Sequence, residues 1–130
     1  MAMQGIKFEI LTDPIPLARP RVTKGHAYLP KRSRDYRAVV QQAAKAAMGA
    51  CEPLTGSLSC RLTFYRKFNP TVRNFGDLDN HVKAVLDALT DGICYGDDAQ
   101  IVDIHASKRQ DKAKPRVEVF IGIALEERID

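Results

Sequence analysis

The segment from 58 to 65 constrains the fold most strongly, because apolar and polar residues alternate through it without interruption. Its apolar members recur at every second position: Leu58, Cys60, Leu62 and Phe64. Successive side chains of a strand point to opposite faces, so the segment predicts a half-buried β-strand. Residues 6–11, 101–107 and 116–124 predict three more strands, and residues 26–29 predict a short one.

Two other segments carry a helical spacing of apolar residues. Ser33 or Asp35 is the predicted cap of the first helix, which reaches about Met48 and ends at Gly49. Asp79 is the predicted cap of the second helix, which runs to residue 90 with residue 92 as its stop. The mixture predicts an α/β or α+β fold, in which residues 1–130 form one domain with helices packed on a mixed sheet.

Length and composition exclude several classes of protein. The chain has 130 residues, of which 45% are hydrophobic, and this suits a globular domain with a substantial core. No apolar run approaches the roughly 20 residues that span a bilayer, and the N-terminus lacks the pattern of a signal peptide. A cytoplasmic protein without membrane contact is therefore expected. Cys51, Cys60 and Cys94 lie too far apart for a zinc site and are expected to be structural or incidental thiols.

The formal charge of +4 conceals an uneven distribution along the chain. Residues 1–76 contain 13 Lys and Arg against 4 Asp and Glu, whereas residues 77–130 contain 7 against 12. The front half therefore carries a net +9 and the back half a net −5. A basic front half predicts an anion-binding surface, and nucleic acid is the obvious polyanion.

The back half gathers its acids into a short span around one lysine. Asp77 and Asp79 are two residues apart, so extended backbone would point both carboxylates to one side. Lys83 and Asp87 continue at spacings of four, which places them on one helical stripe. The pair 97–98 precedes a predicted strand and is expected beside the start of the helix. Hard oxygen ligands in this number favour Mg²⁺ or Mn²⁺.

Each of these acids also has a simpler interpretation. Asp79 is a suitable helix cap, Lys83 can form an exposed ion-pair ladder with its neighbours, and the 97–98 pair suits a turn. A calcium-binding EF-hand loop is excluded, because Val82 and Ala88 stand where its glycine and glutamate are required. The concentration of all these features within about one helix length favours the metal site.

The same residues resemble the motif of the RusA-type Holliday-junction resolvases. The resemblance rests on D-L-D-N-x-x-K-x-x-x-D-A-L from residue 77 and on D-D-x-Q from residue 97. It extends to residues 16–23 and 25–32 and covers about residues 8–123. It implies a homodimeric endonuclease that resolves four-way junction DNA by paired nicks with Mg²⁺, or Mn²⁺ in its place. The essential residues that it implies here are Asp77, Asp79, Asp98 and Lys83.

The roles expected of these residues follow from phosphodiester chemistry. Asp77, Asp79 and Asp98 would hold the metal, with Asp97 as the alternative third ligand, because spacing does not separate adjacent aspartates. Lys83 would contact the scissile phosphate or orient the attacking water.

Basic residues of the front half are expected to follow DNA phosphates without reading bases. The predicted set, to which Arg34, Arg66 and Lys67 can be added, is Arg19, Arg21, Lys24, Lys31, Arg32 and Arg73. Two alternatives stay open: a catalytically inactive DNA-binding module, and a metal-dependent nuclease that acts on another nucleic acid.

Overall fold

A four-stranded mixed sheet with two helices on one face organises the chain, in a computed structural model that describes residues 5–17, 21–67, 77–90 and 92–124. The elements are β1 (Gly5–Ile10), β2 (Arg21–Thr23), β3 (His26–Tyr28), α1 (Lys31–Met48), β4 (Leu58–Arg66), α2 (Leu78–Leu89), β5 (Ile101–Gln110) and β6 (Arg116–Ile123). The sheet order is β1-β6-β4-β5, and β4 and β5 are parallel whereas the other pairs are antiparallel. The predicted α+β architecture is confirmed.

The predicted apolar face of β4 is the centre of the core. Its four apolar side chains are fully buried, and three of them pair in register with Val117, Val119 and Ile121 of β6. α1 and α2 cover this face, and Gln41 Nε2 of α1 donates a hydrogen bond to the Ala88 carbonyl of α2 at 3.1 Å. Neither of these two helices is long and apolar enough to cross a membrane.

The helix starts differ from the predictions. α1 begins at Lys31 directly after Pro30, whose carbonyl accepts the first helical hydrogen bond, and Ser33 is a buried residue inside the helix. Proline has its φ already near the helical value, so it can stand at a helix start without a side-chain cap. The cap position of α2 belongs to Asp77, two residues before the predicted one. Gly49, with φ of 56°, ends α1 as predicted.

A two-stranded hairpin lies between β1 and α1. β2 was not predicted, because three residues are too few to show a period, whereas β3 confirms the short strand expected at residues 26–29. The two residues that connect the strands, Lys24 and Gly25, have φ of 52° and 80°. Positive φ at both positions belongs to the tight turn that matches the twist of paired strands. The hairpin therefore presents Lys24 at its exposed tip.

The direction of α2 determines which end of β5 lies near the start of the helix and which lies near its end. Near its start, the ring of His81 lies 5.4 Å from the ring of Phe64, which pairs with Lys108 towards the end of β5. Beyond its last residue, Thr90 contacts Asp98, which lies three residues before the start of β5. α2 therefore runs antiparallel to β5, with its start at the far end of that strand.

Candidate active site

The start of α2 presents two carboxylates that the fold does not use. Asp77 occupies the cap position in extended conformation, but its side chain makes no capping hydrogen bond. Asp79 lies in the first turn, and both residues are exposed. The partial positive charge of a helix N-terminus favours anions here, which offsets part of the repulsion between them. Their oxygens are therefore available to a cation from solution.

Lys83 lies one turn beyond Asp79 on the same side of α2. Its Nζ is 3.9 Å from Asp79 Oδ2, and both side chains are well exposed. An exposed pair at this distance contributes little to stability, because water screens it and both side chains lose freedom. The ammonium group therefore lies beside the paired carboxylates and can still reach an approaching phosphate.

The acids at the end of α2 are bound by neighbouring groups. Asp97 Oδ1 accepts a hydrogen bond from the Ala99 amide at 2.9 Å, and the Asp97 amide donates to Gln100 Oε1 at 3.0 Å, which caps a short 3-10 turn at Asp98–Gln100. Asp98 Oδ1 accepts from Thr90 Oγ1 at 2.5 Å. Asp97 thus has a structural role as a cap. Spacing left the predicted third metal ligand open between Asp97 and Asp98, and this role of Asp97 favours Asp98.

Asp98 lies at the opposite end of α2 from Asp77 and Asp79. At about 1.5 Å per helical residue, the step from Asp79 to Thr90 is roughly 16 Å long. The expectation that the 97–98 turn lies beside the helix start is therefore wrong, since α2 runs antiparallel to β5 and ends where that strand begins. Within residues 5–17, 21–67, 77–90 and 92–124, no three His, Cys, Asp or Glu side chains are close enough to hold one metal ion.

Part of the predicted DNA-binding set lies at the start of α1. Lys31 and Arg32 are exposed in its first turn, which contains no acidic residue. Lys31 Nζ is 2.8 Å from Asp35 Oδ2, in an exposed pair on one helical stripe. Cations at the positive end of a helix dipole are not favoured by the helix, so they raise the local potential rather than stabilise α1. This surface is well suited to an anion.

The basic segment of the chain is anchored next to the acids. The Leu17 amide donates a hydrogen bond to the carbonyl of Asn80, the neighbour of Asp79, at 3.0 Å. The chain that leads to the hairpin therefore departs beside the start of α2. Arg19 and Arg73 lie outside the described residues, and for Arg21 only the backbone position in β2 is described. The described contact therefore places Leu17, the last described residue before the hairpin, beside the start of α2.

Three residues of metal-ligating types, His81, Cys60 and Cys94, are buried. His81 is fully buried in the helical layer against Phe64. Burial raises the pKa of Cys60 to about 12 and that of Cys94 to about 11. Both thiols are therefore protonated at neutral pH, and the thiolate needed for nucleophilic attack or metal binding is scarce. Neither thiol therefore competes with the oxygen donors at the start of α2 for a hard cation.

Comparison with known families agrees with this arrangement. The family model described as Endodeoxyribonuclease RusA matches residues 12–122, and the chain belongs to that family. A search of curated proteins found no match. The match confirms the resemblance drawn from the acidic motif and the basic front half. Family membership makes the chain a nuclease, a hydrolase of DNA phosphodiester bonds.

Proposed function

We propose that the protein is a homodimeric, Mg²⁺-dependent endodeoxyribonuclease that resolves four-way DNA junctions by paired symmetric nicks in recombination and repair. The observation that carries the proposal is the pair of exposed carboxylates of Asp77 and Asp79, which make no capping hydrogen bond, beside Lys83. Family membership supports nuclease activity on DNA, and these residues are the proposed site of that activity.

The donor set at the start of α2 fits Mg²⁺. This ion prefers carboxylate oxygens, keeps several waters and uses one or two carboxylates together with substrate phosphates. When bound, Mg²⁺ (or Mn²⁺) lowers the pKa of its water and neutralises charge on the phosphate. Asp77 and Asp79 would hold the ion, and neither needs to break a capping hydrogen bond to do so.

Lys83 and the basic residues would position the DNA. The ammonium group of Lys83 would donate to the scissile phosphate or to the attacking water, and its ion pair with Asp79 keeps it near that point. Lys24, Lys31 and Arg32 would contact phosphates further along the strand. Such contacts carry no sequence information, so they suit recognition of junction shape rather than of a base sequence.

The third proposed ligand, Asp98, requires the second subunit. One chain separates Asp98 from Asp79 by the length of α2, so a site containing both acids within one chain conflicts with the fold. A two-fold axis that sets two α2 helices side by side in opposite directions would bring Asp98 of each chain towards the start of α2 in the other. The same symmetry gives two sites for the two nicks.

Cleavage of a synthetic four-way junction tests the proposal. We expect paired nicks with Mg²⁺, none with a chelator, and much weaker cutting of linear duplex and flap DNA. Asp79→Asn should abolish nicking while junction affinity is kept or increased, because a negative charge near the phosphates is lost.

Asp35→Asn is the matched control for this loss of charge. It removes one exposed carboxylate from the basic surface, so affinity should rise while nicking continues. Normal nicking by Asp79→Asn contradicts the site assignment. Tight junction binding by the wild type without any cleavage indicates the inactive DNA-binding module. Preferred cleavage of another nucleic acid indicates the other alternative, a metal-dependent nuclease that acts on that nucleic acid.

A further inference from the structure

The face of the sheet opposite the two helices is open. It consists of residues 5, 7 and 9 of β1, the odd-numbered residues 59–65 of β4 and 103–109 of β5, and the even-numbered residues of β6. Every side chain on this open face is exposed or half-buried, whereas the helix-covered face carries the core. The open face is therefore accessible from solution in the part of the chain that the structure describes.

Four side chains form a straight row across the open face, one from each strand: Lys7, Phe120, Arg61 and His105. Each is the register partner of the next. Neighbouring strands are about 4.8 Å apart, so the backbones at Lys7 and Arg61 are roughly 10 Å apart with Phe120 between them. Phe120 is 46% exposed, although β6 is an interior strand of the sheet. An accessible aromatic ring therefore stands between two cations.

Each of the three acids on the open face already has a partner in the chain. Glu118 Oε2 accepts a hydrogen bond from Arg116 Nε at 3.0 Å, and Glu9 Oε2 lies 3.5 Å from Lys114 Nζ. The hydroxyl of a neighbouring serine donates to the third acid, Asp103. The negative charge of this face is therefore compensated by groups of the same chain.

The two cations of the row have no such partner. Lys7 and Arg61 are both exposed, and neither forms an ion pair with an acid of the described residues. Together with Phe120 they line one groove of about 400 Å³. Glu118 also lines this groove, but Arg116 neutralises it. The groove therefore has a positive potential and suits an anion.

A second groove lies on the other side of the Phe120 ring. Its volume is about 660 Å³, within the range of about 300–1,000 Å³ that small-molecule sites occupy. Part of its floor is backbone, because Gly5 and Gly122 pair in the neighbouring row and neither has a side chain. A Cβ atom at Gly5 would lie 3.6 Å from Phe120 Cζ and would narrow the groove beside the ring. The groove therefore leaves room for a planar group next to Phe120.

This combination fits one class of ligand, a nucleic-acid strand whose bases are unpaired. Proteins bind single strands through aromatic rings, on which the bases stack, and through cations that follow the phosphates. In a duplex the faces of the bases are covered by neighbouring base pairs, so only an unpaired base offers a face to Phe120. The chain belongs to a family of DNA endonucleases, and this favours DNA as the strand.

We propose that the open face binds single-stranded DNA, with one base stacked on Phe120 and the phosphates on either side of that base at Lys7 and Arg61. α2, which carries Asp77 and Asp79, packs on the helix-covered face. A strand bound to the open face is therefore not the strand at the candidate active site. The inference requires neither the proposed metal nor cleavage.

Two labelled oligonucleotides separate stacking from phosphate contacts. One is a dT strand of about a dozen nucleotides, and the other is a strand of the same length in which every sugar lacks its base. Both carry the same phosphates, and fluorescence anisotropy titrations in a chelator exclude metal and cleavage. The wild type should bind the dT strand about 5- to 150-fold more tightly than the abasic strand, the range for one stacked base.

Substitution of the ring assigns this preference to the row. Phe120→Leu keeps an apolar side chain without an aromatic face, so it should lower the preference for dT by at least about 5-fold. Its affinity for the abasic strand should be unchanged, which also shows that the variant is folded. Phe120→Tyr keeps the ring and should keep the preference. Tyr28→Leu is the matched control, because Tyr28 is 45% exposed on β3, and it should keep the preference as well.

Substitution of the cations tests the phosphate contacts. Lys7→Gln and Arg61→Gln should each weaken binding of both strands. Each should also reduce the slope of log affinity against log salt concentration by about 0.7, the value for one phosphate contact on a single strand. Lys45→Gln is the control, because Lys45 is an exposed cation of α1, and it should leave the slope unchanged. An equal reduction by all three variants would indicate diffuse attraction and contradict the row.

Three other results would overturn the proposal. They are equal affinity of the wild type for the two strands, a Phe120→Leu variant that keeps the preference for dT, and a Tyr28→Leu variant that loses it. Equal affinity is also the result expected if a second copy or another protein covers the open face. A wild type that prefers dT but never cleaves a four-way junction would contradict the proposed function alone.

Discussion

The two ends of α2 treat their carboxylates in opposite ways. At the start, Asp77 and Asp79 are exposed, the cap position is occupied without a capping hydrogen bond, and Lys83 Nζ is 3.9 Å from Asp79 Oδ2. At the end, Asp97 and Asp98 accept hydrogen bonds at 2.9 and 2.5 Å from groups of the same chain. Neighbouring carboxylates that make no capping hydrogen bond do not stabilise the fold and repel each other, whereas hydrogen-bonded carboxylates contribute to its stability. The comparison separates acids at the start of α2 that make few contacts within the chain from acids at its end that the fold uses.

The largest expected effect comes from mixing two inactive variants. Asp79→Asn and Asp98→Asn should each lose nicking by on the order of 1000-fold, since each removes a proposed ligand of the proposed catalytic metal. A heterodimer of the two contains one site with both substitutions and one site with neither, if the acids come from different subunits. After equimolar mixing by refolding, activity should return to about a quarter of the wild-type level, because half of the dimers hold one intact site.

The control for this mixture is Asp79→Asn combined with Asp77→Asn, two acids at the same end of α2. That mixture should recover nothing beyond a trace, because each site of the heterodimer then carries one substitution. If nicking returned in the control mixture but not in the test mixture, Asp77 and Asp79 would come from different subunits, and Asp79 and Asp98 would not.

Gln100→Ala should destabilise the structural end most. Its side-chain amide donates to the carbonyls of Leu54 and Gly56 at 3.0 and 3.1 Å and accepts from the amides of Gly96 and Asp97. Loss of these bonds should lower the free energy of unfolding by about 2–3 kcal/mol, measured by urea denaturation. An effect below about 0.5 kcal/mol would mean that water replaces these contacts at little cost.

Asp97→Ala and Asp77→Ala compare two cap positions directly. Asp97→Ala removes a capping hydrogen bond and should cost about 1 kcal/mol of stability. Asp77→Ala removes none, so its change in unfolding free energy should be within about 0.5 kcal/mol, while nicking is lost. Equal destabilisation by both variants, measured by the same denaturation, would show that Asp77 caps α2 after all.

Asp111 provides the smallest effect and a reference carboxylate just after β5, where its amide donates to the Arg66 carbonyl at the end of β4. The hydrogen bond from Arg116 lowers the pKa of Asp111, so its stabilisation is present above the ordinary aspartate pKa and is lost as pH falls through the lowered value. Asp111→Asn should therefore be slightly less stable than wild type at pH 7, with the difference vanishing in acid. Urea unfolding over a pH series checks this, and a difference that persists in acid would contradict it.

Local periodicity predicted most of the architecture, and the exceptions have physical causes. The strands β1, β4 and β6 were found because each buries alternate residues against one helical layer, whereas β5 was found from its sequence alternation alone. The starts of both helices were displaced, because Ser33, Asp35 and Asp79 are all chemically able to cap, and only packing decides which residue is placed there. His81 was missed as a core residue of α2, since imidazole is as common on surfaces as in cores.

The candidate site was predicted in its residues but not in its arrangement. Asp77, Asp79 and Lys83 lie close together because a few residues of backbone separate them, and local geometry alone brings them to one side. Asp98 was expected beside them, but the antiparallel course of α2 along β5 carries it to the other end. No local pattern reports the relative direction of two elements that pack through their apolar faces.

The amino-acid sequence by itself determined the strand and helix segments, the uneven distribution of charge, and the motif that the RusA family model matches over residues 12–122. Only the tertiary structure decided which acids the fold uses, which it leaves exposed, and how far Asp98 lies from Asp79. The reason is that periodicity and spacing act over a turn or two of chain, whereas strand order and helix direction depend on contacts between distant segments. Those contacts are non-directional apolar packing, which a linear pattern does not encode.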